Sequence, residues 1–237
     1  MSGDSLPGDE RFQLIILSGS WSTLGLGYHW ETAMPILMNA DPRPNLFVAG
    51  LREIEHYDWD RHVITLTADA TEALGRAMGH AVHEKGAAAL MSLTESLGWG
   101  NALERALYTH GFVVKANGAT VYGGIFLNAV SQMAIDYPVL RVTVADGKAA
   151  FAVLPVHVPF VMADPASSFG KSELSIAAEA REDVRQLDER DGFMTSWIMG
   201  IATSPTARRF QQLIRDARIE TALRAAGKLG EMAGPAG

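Results

Sequence analysis

Hydrophobic and polar positions recur with two different periods along this chain, and the changes of period divide it into elements. Residues 12–17 form a near-continuous apolar run, as expected of a strand buried inside a sheet. A short helix is predicted over 31–38, stopped by Pro42 and Pro44, which cannot continue it. Strands are predicted at 46–49 and 63–67, with the sequence EHYDWDRH between them forming a bend.

Helical spacing then takes over. Asp69 with Glu72 three residues on is read as the start of one helix, whose apolar stripe is Leu74, Met78, Ala81 and Val82. Ser92 with Glu95 repeats the arrangement for a second, with Trp99, Leu103, Ala106 and Leu107 as its stripe. Each stripe is expected to pack on a sheet.

The clearest local signals are two hairpins. FVVKANGATVYGGIF places Asn117-Gly118 between apolar runs, and PVLRVTVADGKAAFAVLP places Asp146-Gly147 between alternating ones, with Leu140, Val142 and Val144 on one side. Asn-Gly and Asp-Gly tolerate the positive φ angles that a type I′ turn requires. After Pro165 the pattern is helical, over about 172–190, 194–202 and 206–226. The predicted fold is α+β: one domain over 1–237, an antiparallel sheet with two type I′ hairpins packed by helices, and a helical C-terminal third with a subdomain at about 172–227. Residues of about 1–10 and 228–237 read as frayed tails.

Composition narrows the classes of function. With 48% hydrophobic and 20% charged residues among 237, the chain can bury a substantial core. A formal net charge of -7 argues against binding to a nucleic-acid backbone, which needs a basic stripe. The sequence has no cysteine, which removes disulfides, thiolate catalysis and cysteine-held zinc or iron–sulfur clusters. The apolar stretch near the N-terminus is too short for a signal peptide or a membrane span, so a cytoplasmic location without membrane association is expected.

Candidate chemistry sits in a few short stretches. Gly170-Lys171-Ser172, after an apolar run and before an Ala-rich stretch, has the order of a phosphate-binding loop. The pattern fails because Pro165 stands where a glycine is required; proline has no N–H and fixes φ. No cofactor is expected. The Gly-rich loop 18–31 holds Ser20, Ser22, Thr23, Tyr28, His29 and Glu31 beside Trp21 and Trp30, where a small polar ligand would find donors and stacking surfaces. In a catalytic reading His29 is the general base, oriented by Glu31 or another carboxylate, and Ser20 or Ser22 is the nucleophile or substrate anchor. The alternative is a packed loop covering the core, which the spacing favours because no G-x-G-x-x-G or G-x-S-x-G motif is present.

His56, Asp58, Asp60 and His62 recur at period two, a metal-like set if the segment is straight; Asp-Trp-Asp favours a turn instead, so no metal site is expected. His80 and His83 fall off the apolar stripe of their helix, and His110 and His157 are isolated. In the C-terminal third an acidic stretch at 173–191 precedes a helix with Arg208, Arg209, Arg215, Arg218 and Arg224. That helix has one apolar face in Phe210, Leu213, Ile214 and Ala217 and a second patch in Ile219 and Leu223, which predicts contact with a protein partner or a second copy, with a deeply buried helix explaining the patch equally well. The leading expectation is a non-catalytic binding or accessory protein acting through protein–protein contacts. Its rival is a small-molecule hydrolase or transferase working from loop 18–31.

Overall fold

A computed structural model describes residues 9–40, 45–84, 102–128, 131, 133–157 and 205–230. Gly170-Lys171-Ser172, the acidic stretch, the helix start at Ser92 and the side chains of His80 and His83 lie outside what it describes.

The strands are β1 (Phe12–Ser20), β2 (Asn45–Gly50), β3 (Ile54–Asp58), β4 (Val63–Leu66), β5 (His110–Ala116), β6 (Ala119–Phe126), β7 (Val139–Ala145), β8 (Lys148–Leu154) and β9 (Leu229–Gly230). The described helices are α1 (Trp30–Met38), α2 (Ala68–Glu84), α3 (Ala102–Leu107), α4 (Pro205–Ile214) and α5 (Ala217–Ala225). All the described strands join one sheet in the order β2-β1-β5-β6-β7-β8-β4-β3-β9.

The mixed α+β class is as expected, but the sheet is mixed rather than antiparallel. β6 pairs parallel with β7, and β3 pairs parallel with β9. The two hairpins are each antiparallel within themselves, β5 with β6 and β7 with β8. The connection 127–138 joins them, and the end of β6, at Ile125 and Phe126, pairs with the start of β7, at Val139 and Leu140. Gly124 permits that junction, since a Cβ there would fall 1.8 Å from the Pro138 carbonyl oxygen. Both hairpin turns carry positive φ at both central residues: 51° and 76° at Asn117 and Gly118, 53° and 74° at Asp146 and Gly147.

β1 reads as a continuous apolar run because both its faces are covered. Phe12, Leu14 and Ile16 enter a cluster with Leu74 and Met78 of α2, Leu103 and Leu107 of α3, and Ile219 and Leu223 of α5. Ile15 and Leu17 enter a second cluster with Ala33, Met34 and Leu37 of α1, Tyr137 and Phe210. α5 touches β1 and β5 in one half of the sheet and β9 at its far edge, so the sheet curls around it.

Several boundaries differ from the sequence pattern. EHYD is strand β3 rather than bend, and only the residues after Asp58 turn. α2 is capped two residues before Asp69, by Thr67, whose Oγ1 accepts from the Ala70 N–H at 3.2 Å. Glu72 instead pairs with Arg76 one turn on. The predicted helix 206–226 breaks at Arg215 and Asp216, because the Asp216 carboxylate caps α5 by accepting from the Arg218 N–H at 2.8 Å. Leu229 and Gly230, read as tail, pair with Tyr57 and Asp58. Val144 lies near a hairpin tip and is exposed, unlike Leu140 and Val142 on the same side of the strand.

Candidate functional site

The segment expected to bear a site starts as strand: Ser18, Gly19 and Ser20 belong to β1. The chain leaves the sheet at Trp21, whose N–H bonds the Thr109 carbonyl at 2.7 Å, and folds back so that the Leu26 N–H reaches the Trp21 carbonyl at 3.0 Å. Gly25, at φ 68°, supplies the left-handed residue this needs. Gly19 serves packing rather than ligand approach: a Cβ there would fall 2.5 Å from the Leu24 side chain, which lies across the end of β1.

The loop's hydroxyls bond one another. Thr23 Oγ1 accepts from the Ser20 N–H at 2.8 Å and donates to the Ser20 carbonyl at 3.1 Å. Ser20 Oγ lies 3.2 Å from Ser22 Oγ and 3.3 Å from Thr23 Oγ1. Beneath them the Gly27 carbonyl accepts from Tyr137 Oη at 3.0 Å and from Trp21 Nε1 at 3.4 Å. Burial holds the Tyr137 phenol neutral by raising its pKa well above the ordinary value. Trp21 meets Tyr28 with ring centroids 5.0 Å apart.

His29 precedes α1 and has no side-chain cap bond of its own. Asp136, from the connection between β6 and β7, supplies it: Oδ1 accepts from the Trp30 N–H at 2.6 Å, and Oδ2 lies 3.2 Å from His29 Nδ1. The sequence offered Glu31 or another carboxylate for the role; it is another carboxylate, Asp136, which the sequence did not single out. An aspartate 107 residues distant carries no local signal. His29 is thereby joined to Asp136, while Ser20 bonds both Ser22 and Thr23. The His29 side chain is 77% exposed, so its imidazole stands in water and not in an enclosed site. Next to it the Arg209 guanidinium lies 4.9 Å from the centre of the Trp30 ring.

The period-two set His56, Asp58, Asp60 and His62 does not converge. Asp58 Oδ1 accepts from the N–H groups of Asp60 and Arg61 at 3.1 and 3.0 Å, which closes the turn. Among the described residues no three His, Asp or Glu side chains are placed to hold one metal ion. Trp59 folds back on the core, 5.5 Å from Tyr57. His110 and His157 are buried, and each ring bonds a backbone carbonyl, that of Leu17 at 3.1 Å and that of Ser131 at 3.1 Å. Burial, reinforced by Arg141, lowers the His157 pKa to about 4.

The apolar patch expected to meet a partner is inside the molecule. Ile219 and Leu223 are both wholly buried, facing the same core as β1 and β5. The sequence shows two stripes because two helices share it: Phe210 and Ile214 belong to α4, Ile219 and Leu223 to α5, and the break at Arg215 and Asp216 lets each face the core. Among the described residues, no helix is long and apolar enough to cross a membrane. Comparison with protein-family models, with curated proteins and with solved structures found no match to this chain.

Proposed function

We propose that this is a non-catalytic binding or accessory protein acting through protein–protein contacts, and that the loop between β1 and α1, with Arg209 beside it, is the contact surface. One observation carries the reading: the loop's hydroxyls bond one another and its own backbone, while Tyr28 stands exposed against Trp21, and Trp21 and Trp30 are half-buried on the core as its base. Tyr28 is 49% exposed on Trp21, and Trp30 is braced by Arg209. Trp, Tyr and Arg on a rigid base are the residue types that dominate binding energy at protein interfaces. The partner is a second protein or a second copy.

A small-molecule hydrolase or transferase is the second reading, favoured by the His29–Asp136 pair, with His29 on the same loop as Ser20 and Ser22. Asp136 would fix the Nδ1–H tautomer of His29, leaving Nε2 to take a proton from a serine hydroxyl as it attacks an acyl or phosphoryl centre. The open setting of His29 weighs against it, since a general base works best where water is excluded.

One experiment separates the two. A photo-crosslinking residue at position 28 is expected to give a discrete protein adduct, with the purified chain itself or with one defined species from its native extract, whereas the same residue at position 146 gives none. A serine-directed fluorophosphonate is expected to leave Ser20 and Ser22 unmodified. Labelling of either serine that disappears in His29→Ala, with no adduct from position 28, would replace the binding reading with the enzymatic one.

A further inference from the structure

We propose that the contact between His62 and Arg215, where the β3–β4 hairpin tip meets the break between α4 and α5, is an acid-opened clasp that ties the helix junction to the sheet. Arg215 Nε lies 3.1 Å from His62 Nε2. A guanidinium is always a donor, so His62 Nε2 must present a lone pair and the ring must be neutral. The proton then sits on Nδ1, which faces the Tyr57 hydroxyl at 3.5 Å. Protonation removes the only acceptor Arg215 has in this contact and sets two cations against each other.

The ring cannot turn away easily. His62 sits at φ 53°, and its carbonyl accepts from the Val153 N–H of β8 at 2.9 Å. Trp59 and Tyr57 flank it edge-on, with centroids 5.8 and 6.5 Å away. Among the described residues, the charged or titratable groups that face it are Arg215 from the helix junction, Asp58 and Asp60 from the tip, and Tyr57 beneath. Arg61 is turned to Asp58 at 3.8 Å. The two carboxylates favour the imidazolium, but burial first, and Arg215 second, outweigh them and lower the pKa to about 4.

Opening is local. Phe210, Ile214, Ile219 and Leu223 remain in the core and keep both helices on the sheet. What is released is Arg215 and the turn around Asp216. The clasp stands apart from the loop surface proposed above, and neither depends on the other.

The test is amide hydrogen exchange and imidazole NMR on the full chain, from about pH 7 down to about pH 4, with exchange corrected for its intrinsic pH dependence. Protection at Arg215 and Asp216 is expected to fall by at least roughly tenfold between about pH 6.5 and pH 4, from the freed to the clasped titration of His62, while Val113 and Tyr122 in the sheet keep theirs. His62→Gln retains a neutral acceptor and is expected to abolish the acid loss at the junction. Arg215→Met is expected to raise the His62 titration midpoint toward the ordinary value near 6.5. An unmoved midpoint in Arg215→Met, an undiminished acid response in His62→Gln, or simultaneous loss of protection in β5 and β6 would each overturn the proposal.

Discussion

At the scale of the residue, backbone angle and burial decide what each position tolerates. Gly118 and Gly147, at φ 76° and 74°, have open space where a Cβ would stand, so a substitution there is opposed by backbone strain and not by a clash. Gly118→Val and Gly147→Val are each expected to lower stability by about 1 kcal/mol or more, read from denaturant midpoints at unchanged m. Burial sets a pH dependence at His157. Its folded pKa of about 4 lies below the unfolded value near 6.5, so its neutral form is the one that stabilises. That contribution is intact above pH about 6.5, falls as the pH drops toward 4, and levels off below. Between about pH 7 and pH 5 the share of the loss due to His157 is ~2 kcal/mol, and His62, lowered in the same direction, adds to it. Equilibrium unfolding at a series of pH values checks this, and a flat profile over that range would contradict it.

At the scale of the element, two caps are supplied from unexpected places. Thr67 closes the start of α2, and its carbonyl also accepts from Thr71 Oγ1 at 2.9 Å. Thr67→Ala is expected to cost about 1 kcal/mol, and Asp69→Ala less, the reverse of what the sequence spacing implies. α1 is capped across the chain by Asp136. Asp136→Ala removes the acceptor for the Trp30 N–H and is expected to destabilise by ~1–2 kcal/mol, whereas Asp136→Asn keeps the Oδ1 acceptor and should recover most of that. Thermal melts of the pair report the difference. If the two variants melt alike, the charge of Asp136 matters more than its hydrogen bond to α1.

At the scale of the whole molecule, the Ile219 and Leu223 stripe of α5 becomes core where that helix lies on β1 and β5. Leu223→Ala is therefore expected to cost 2–5 kcal/mol in stability, roughly the range for deleting a buried leucine side chain. The folded fraction should sediment as the wild type does. A change in association state at unchanged stability would instead show that Leu223 meets another chain. The same enclosure is why an interface is better sought on the loop bearing Trp21, Tyr28 and Trp30 than on α5.

The sequence by itself determined what depends on near neighbours. The helical stripe of Leu74 and Met78, the hairpin turns at Asn117-Gly118 and Asp146-Gly147, and the buried first strand were all legible, because side-chain period and turn chemistry act within a few residues. Of the candidate site, the local cluster of Ser20, Ser22 and Thr23 was legible and its meaning was not. Only the tertiary structure brought Asp136 to His29, placed Arg215 against His62, laid β6 parallel to β7, and put Ile219 and Leu223 inside. Each of these joins residues far apart along the chain or depends on the sheet's curvature. A hydrophobic pattern says that a face is buried; what buries it is set by the path of the whole chain.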